Sequence, residues 1–97
     1  MNTRNFEILA QRTLILFEPA TGTRSEIKIS IGQPYWREKN VAAACPLSVE
    51  GLTGRLPDIE GIDMIQCLQL AISLTEQLLN SVPEGKLVMW PDGEPYK

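Results

Sequence analysis

The clearest pattern along the chain is the alternation in SEIKISIG, residues 25–32. Ile27, Ile29 and Ile31 fall on one side and Glu26, Lys28 and Ser30 on the other, as in a strand with one buried face. Upstream, FEILAQRTLILFE (6–18) reads as a long strand, with β-branched and aromatic residues near its end. Leu14 and Leu16 share one face and Thr13, Ile15 and Phe17 the other, which predicts partial cover on both sides. PATGT between the two segments supplies a turn, so they form an antiparallel hairpin with a loop of about five residues.

IGQPYWREKN (31–40) reads as a connecting loop, with a Gly-x-Pro break before Tyr35 and Trp36 and the charged residues Arg37, Glu38 and Lys39 after them. VAAACPLSVEGL (41–52) predicts a third strand with Ala43, Cys45, Leu47 and Val49 on one face. Pro46 lacks the amide hydrogen of a central ladder, so this strand is expected at an edge or with a bulge. TGRLPDIEG (53–61) is a connector.

A helix follows. Asp63 is a capping residue, Gln66 three positions on completes a capping-box-like pair, and Pro83 and Gly85 end the helix. Stepped at about 100° per residue, Met64, Ile65, Cys67, Leu68, Ala71, Ile72, Leu74, Thr75, Leu78, Leu79 and Val82 form a broad apolar face. The polar half, Gln66, Gln69, Ser73, Glu76, Gln77, Asn80 and Ser81, has one charged residue and is interrupted by Leu70. KLVMW (86–90) closes as a short strand and PDGEPYK (91–97) as turn and tail. The expected fold is α+β, residues 1–97 as a single two-layer domain. An antiparallel sheet of about four strands is covered by one long helix, in the order β-β-β-α-β.

Composition changes the picture mainly by exclusion. The chain has 97 residues, 43% apolar and 22% charged, enough for one core without a metal or disulfide. It has no histidine, which removes the usual general base, neutral metal ligand and physiological pH switch together. The apolar run around the helix is broken by Gln66, Gln69, Glu76 and Gln77, so no membrane span is expected, and MNTRNFE lacks a signal-peptide core. A cytoplasmic location follows as the expectation, with Cys45 and Cys67 as reduced core residues. Residues 1–57 carry seven basic and five acidic side chains, net +2; residues 58–97 carry two and seven, net −5. No basic stripe with interleaved aromatics appears, so nucleic acid is not an expected partner; the acidic half suits a basic protein.

No catalytic motif is present. The glycines are scattered through turns and form no phosphate loop, and Cys45 has no histidine to activate it. Asp58, Glu60 and Asp63 lie within six residues but lack calcium-loop spacing, and Asp63 is already assigned as a cap. No metal or cofactor is expected. What remains is a pair of aromatic segments, Pro34-Tyr35-Trp36 and WPDGEPY (90–96), each beside proline. Tyrosine and tryptophan serve both cores and interfaces. Trp36 and Trp90 are read as closing the core; Tyr35, Arg37, Asp92, Glu94 and Tyr96 are read as interface residues.

The hairpin ending in IGQPYW, then CPLSVEGL, GIDMIQCLQLA and WPDGE, resembles a family of small uncharacterised bacterial domains, and similar domains occur in toxin–immunity systems. The chain departs from the PYW…WxCP spacing of that group, with Ala43 where a second tryptophan is expected. The resemblance implies a non-enzymatic bacterial protein-binding domain, an immunity protein that neutralises a cognate toxin by occluding its active site or a nearby surface. The partner-binding set is Tyr35, Trp36, Arg37, Asp58, Glu60, Asp92, Glu94 and Tyr96, and the partner a basic toxin domain. The alternative is a structural domain that forms a homodimer through the weakly charged helix face.

Overall fold

The computed structural model describes residues 6–96. The hairpin is as its pattern predicts. Strand β1 (Ile8–Glu18) pairs antiparallel with β2 (Thr23–Gly32), from Glu18 opposite Thr23 to Ile8 opposite Gly32. Leu14, Leu16, Ile27 and Ile29 are buried, and Ile31 is half-buried. Ile15 and Phe17, on the other face, are half-buried and stay outside the core cluster, so the expected double cover is limited to neighbouring side chains.

After Gly32 the structure departs from the pattern. Residues 35–38 are not loop but strand β3 (Tyr35–Glu38). The Gly-Gln-Pro break moves the chain out of the first sheet, and tyrosine and tryptophan then favour extended backbone. The strand expected over 41–52 is split at Pro46 into β4 (Ala42–Cys45) and β5 (Leu47–Glu50). The missing amide hydrogen of Pro46 falls between two ladders, so each half is an interior strand and neither lies at an edge. The connector contains β6 (Gly54–Arg55) and β7 (Ile59–Gly61).

Among the described residues there are therefore two antiparallel sheets where one of about four strands was expected. The larger has the order β6-β5-β2-β1-β8, with β8 spanning Leu87–Met89; the smaller is β3-β4-β7. Seven strands precede helix α1 (Met64–Asn80) in place of three. The strands that periodicity misses are two to four residues long, too short to show an alternation. The α+β class holds.

The helix begins where expected: the Gln66 amide donates to Asp63 Oδ1 at 2.7 Å. The Gln66 side chain reaches one residue further back than a capping box requires, accepting from the Ile62 amide at 2.7 Å. Only Cys67, Ala71, Thr75 and Leu79 are buried, a stripe narrower than the face predicted. Its first half lies on the smaller sheet, where Ala43, Cys45, Cys67 and Ala71 form a core of small side chains. Gly61 belongs to the same contact: a Cβ there would stand 2.9 Å from the Cys67 amide nitrogen. Leu79 joins the larger core with Leu14, Leu16, Ile27, Ile29, Leu47 and Val49. Small residues let the helix approach one sheet closely while leucines fill the wider gap over the other. Ala43 is fully buried in this contact, so the tryptophan expected there would have no room.

Candidate partner-binding site

Alternation across the smaller sheet sorts the candidate residues by face. Trp36, Ala43 and Gly61 form one row; Tyr35, Ala44 and Glu60 form the next, pointing the opposite way. The first row faces α1, and Trp36 rests against the small-residue core. Trp36 thus takes the core role read for it and stands apart from the outward-facing members of its segment. A bulge between Trp36 and Glu38 leaves Arg37 unpaired and re-aims it.

On the outer face four candidate residues meet. The Tyr35 hydroxyl donates to Asp58 Oδ2. Arg37 Nε lies 3.4 Å from Glu60 Oε2, and its guanidinium sits over the Tyr35 ring at 5.7 Å. Arg55, which the sequence reading passed over, completes the network with an ion pair to Asp58 at 2.8 Å. It also donates to the Leu47 and Leu56 carbonyls and stacks on Phe6 at 4.9 Å. Arg55 and Asp58 are three residues apart around Pro57, a spacing visible in the sequence but without a period to mark it. Tyr35, Asp58, Arg55, Phe6, Gln33 and Pro34 line an open concavity of about 460 Å³.

Electrostatics keeps the proton on tyrosine. The hydrogen bond to Asp58, then burial and the Asp58 charge, raise the Tyr35 hydroxyl above its usual range. For Asp58, burial pushes upward, but hydrogen bonds from Tyr35 and Arg55 and the Arg55 and Arg37 charges outweigh it and hold the carboxyl low. The pair is thus a neutral donor and a fixed anion, poorly matched for proton transfer near neutral pH and suited to a rigid polar surface. Cys45 Sγ is buried against the Gly32 carbonyl at 3.4 Å, and burial pushes its thiol up to about 11. Asp58 and Glu60 hold arginines and Asp63 caps the helix, and among the described residues no metal-binding group of three acids, cysteines or histidines forms.

Asp92, Glu94 and Tyr96 belong to a different place, the edge of the larger sheet. After β8 the chain reverses, the Trp90 amide donates to the Glu94 carbonyl at 2.8 Å, and Pro95 bridges back to Met89. Tyr96 is anchored inward: its hydroxyl donates to Glu76 Oε2 and accepts from Arg12, both at 2.8 Å. The Arg12 guanidinium lies 5.3 Å from the Trp90 ring and 5.8 Å from that of Tyr96. Burial, then the Glu76 hydrogen bond, raise the Tyr96 hydroxyl. Tyr96 therefore fastens the tail to β1 and α1, while Asp92 and Glu94 stay exposed in the turn.

One end of the smaller sheet also exposes apolar residues that the sequence reading assigned to the buried helix face or left unassigned. Ile62 is 66% exposed, Ile65 71% and Val41 56%. Gly61 stands opposite Ala43, so Ile62 and Val41 emerge at the same end of adjacent strands. Among the described residues no helix is long and apolar enough to cross a membrane. Compared with protein-family models, curated proteins and solved structures, the chain matches none.

Proposed function

We propose that this chain is a non-enzymatic protein-binding domain of the immunity type, neutralising a cognate toxin by covering its active site or an adjoining surface. The observation that carries the reading is the network Tyr35–Asp58–Arg55 with Arg37–Glu60. It draws residues from distant segments onto one outward face, beside an exposed apolar end at Val41, Ile62 and Ile65. An aromatic anchor with flanking arginine and a polar rim is the usual make-up of a binding hot spot. Tyr35 and Arg37 are the contact residues; Trp36 supports them from behind. Asp58 and Glu60 are each neutralised by an arginine, so they fix geometry more than they attract charge. Asp92 and Glu94, without ion pairs among the described residues, supply steering toward a basic partner.

The test is co-expression with the product of the neighbouring reading frame, followed by pulldown and growth rescue. Tyr35→Ala with Asp92→Lys should weaken binding by about 30-fold or more, the scale of one lost hot spot. Undiminished binding, or recovery of no protein partner, overturns the proposal. A second reading, self-association through the helix, draws on Leu70, 43% exposed amid Gln66, Gln69, Ser73 and Gln77. Light scattering separates the two: a dimer broken by Leu70→Glu supports the second, and a monomer at high concentration removes it.

A further inference from the structure

Strand β1 is eleven residues long, yet β8 covers it only at residues 15–17. Its other side pairs with β2 along nearly the whole length. Among the described residues, the β1 stretch 8–13 therefore presents an open sheet edge, whose alternate amides and carbonyls lack a ladder partner. Natural sheets usually blunt such an edge with a charge, a proline, a bulge or a covering segment. In this strand the register shifts between Ile8 and Ala10 and Arg12 is the one charge, which leaves residues 10–13 as the regular part of the edge. Here residues 8–12 are exposed, and Ile8 and Leu9 are among them. A groove of about 220 Å³ runs beside the edge between β1 and α1, walled by Ala10, Ile29, Ile31 and Ile72, with Arg12 and Glu76 at its end.

We infer that this edge accepts an extended segment of another protein as a sixth strand of the larger sheet, and that the segment is basic. Backbone pairing would supply the affinity, and every second side chain of the guest would enter the apolar groove. The charge around the edge selects the guest. Glu7 immediately precedes β1. Met89 stands opposite Ile15, so the turn carrying Asp92 and Glu94 lies just past the last covered residues of β1. Glu76 borders the groove and shares its charge with Arg12 at 3.9 Å. Glu7, Glu76, Asp92 and Glu94 thus lie around the edge. Within it Arg12 is already bound by Glu76, Tyr96 and two aromatic rings, and Lys28, opposite Thr13, sits one strand further in. The same imbalance opposes a second copy of this chain, which would bring identical acids to the same edge. The edge belongs to the larger sheet and the Tyr35 face to the smaller one, so this inference stands without the toxin reading.

A capped octapeptide of alternating lysine and valine is the probe, with a glutamate–valine peptide as its charge-reversed counterpart. Hydrogen exchange is read at low salt at those amides of residues 8–13 that do not pair with β2. The lysine peptide should slow exchange there at least about tenfold in saturating amount, the glutamate peptide should not, and added salt should weaken the protection. Ile72→Asn, which removes the apolar wall without changing charge, should raise the peptide Kd about tenfold or more, and Val41→Asn, on the other sheet, should leave it unchanged. Equal protection by both peptides, or none by either, overturns the inference. So does protection that grows with protein concentration alone, which would assign the edge to a second copy.

Discussion

The contact between α1 and the smaller sheet rests on the absence of one methyl group, which makes Gly61→Ala the most informative substitution. A Cβ at position 61 would lie 2.9 Å from the Cys67 amide nitrogen and 3.2 Å from Cys67 Cα. Both are backbone atoms in the first turn and a half of the helix, so no side-chain rotation relieves the clash. The Gln66 Oε1, 3.0 Å away, would have to move as well, loosening its bond to the Ile62 amide. Overpacking of this kind costs about 2 kcal/mol. Restricting the unfolded chain returns about 0.7 kcal/mol, because Gly61 is not in a left-handed conformation and alanine can adopt its backbone angles. The net loss is about 1–2 kcal/mol, which for a domain of this size lowers Tm by about 5–15 °C. Thermal unfolding followed by far-UV circular dichroism reads the shift directly. A variant as stable as the parent would mean that the helix does not approach the sheet on glycine, and would refute the small-residue contact.

Three further outcomes follow from the side-chain networks. Asp58 is held below the ordinary carboxyl range, so its share of stability is present above about pH 4 and lost as pH falls through its lower folded value. Tyr35→Phe should raise the Asp58 value in an NMR carboxyl titration and flatten the acid limb of the stability profile; an unchanged Asp58 would contradict the hydrogen bond. Tyr35 and Tyr96 are raised, so their contribution is complete below about pH 10 and lost as pH climbs through the folded values. Tyr96→Phe, which removes the hydroxyl shared by Arg12 and Glu76, should cost about 1 kcal/mol in urea unfolding and speed exchange at the Tyr96 amide. Cys45, buried and raised to about 11, should react with a neutral-pH thiol reagent only as fast as the protein opens, and a rate near that of the unfolded chain would place the sulfur at the surface.

The parts of the fold legible in the sequence are those with several periods to read. Ile27, Ile29 and Ile31 announce β2, and Asp63 with Gln66 marks the start of α1 to the residue. Legibility fails where elements are shorter than their own period, as in β3, β6 and β7, and where one residue changes the topology. Pro46 was legible as an interruption, but nothing local tells a bulge from a change of sheet. Periodicity makes the helix face too broad because hydrophobicity does not state how much partner surface exists. Ile65 and Ile72 have the right character but stay 71% and 48% exposed. In the candidate site, the sequence brought Tyr35 and Arg37 together as neighbours in the chain. Their meeting with Asp58 and Glu60 depends on the smaller sheet, which the sequence reading did not contain. The pairing of Trp90 with Tyr96 was legible as a cluster, but the part played by Arg12, 84 positions away, was not.

Residues 33–45 leave the larger sheet after Gly32 and come back at Pro46, where the Gly32 amide meets the Pro46 carbonyl at 2.8 Å. From there β2 and β5 run on together as though nothing intervened, Ile31 opposite Leu47. Departure and return share one hydrogen bond, so the larger sheet is insensitive to the length of the excursion. The exposed turn at Asn40, with φ of 62°, is where length can change while Ala43 and Cys45 keep their places under the helix. Doubling a loop there adds about 0.6 kcal/mol of closure entropy. The turn between β3 and β4 can therefore be lengthened or grafted without disturbing the five-stranded sheet, which makes Asn40 an insertion point beside Arg37 and Glu60.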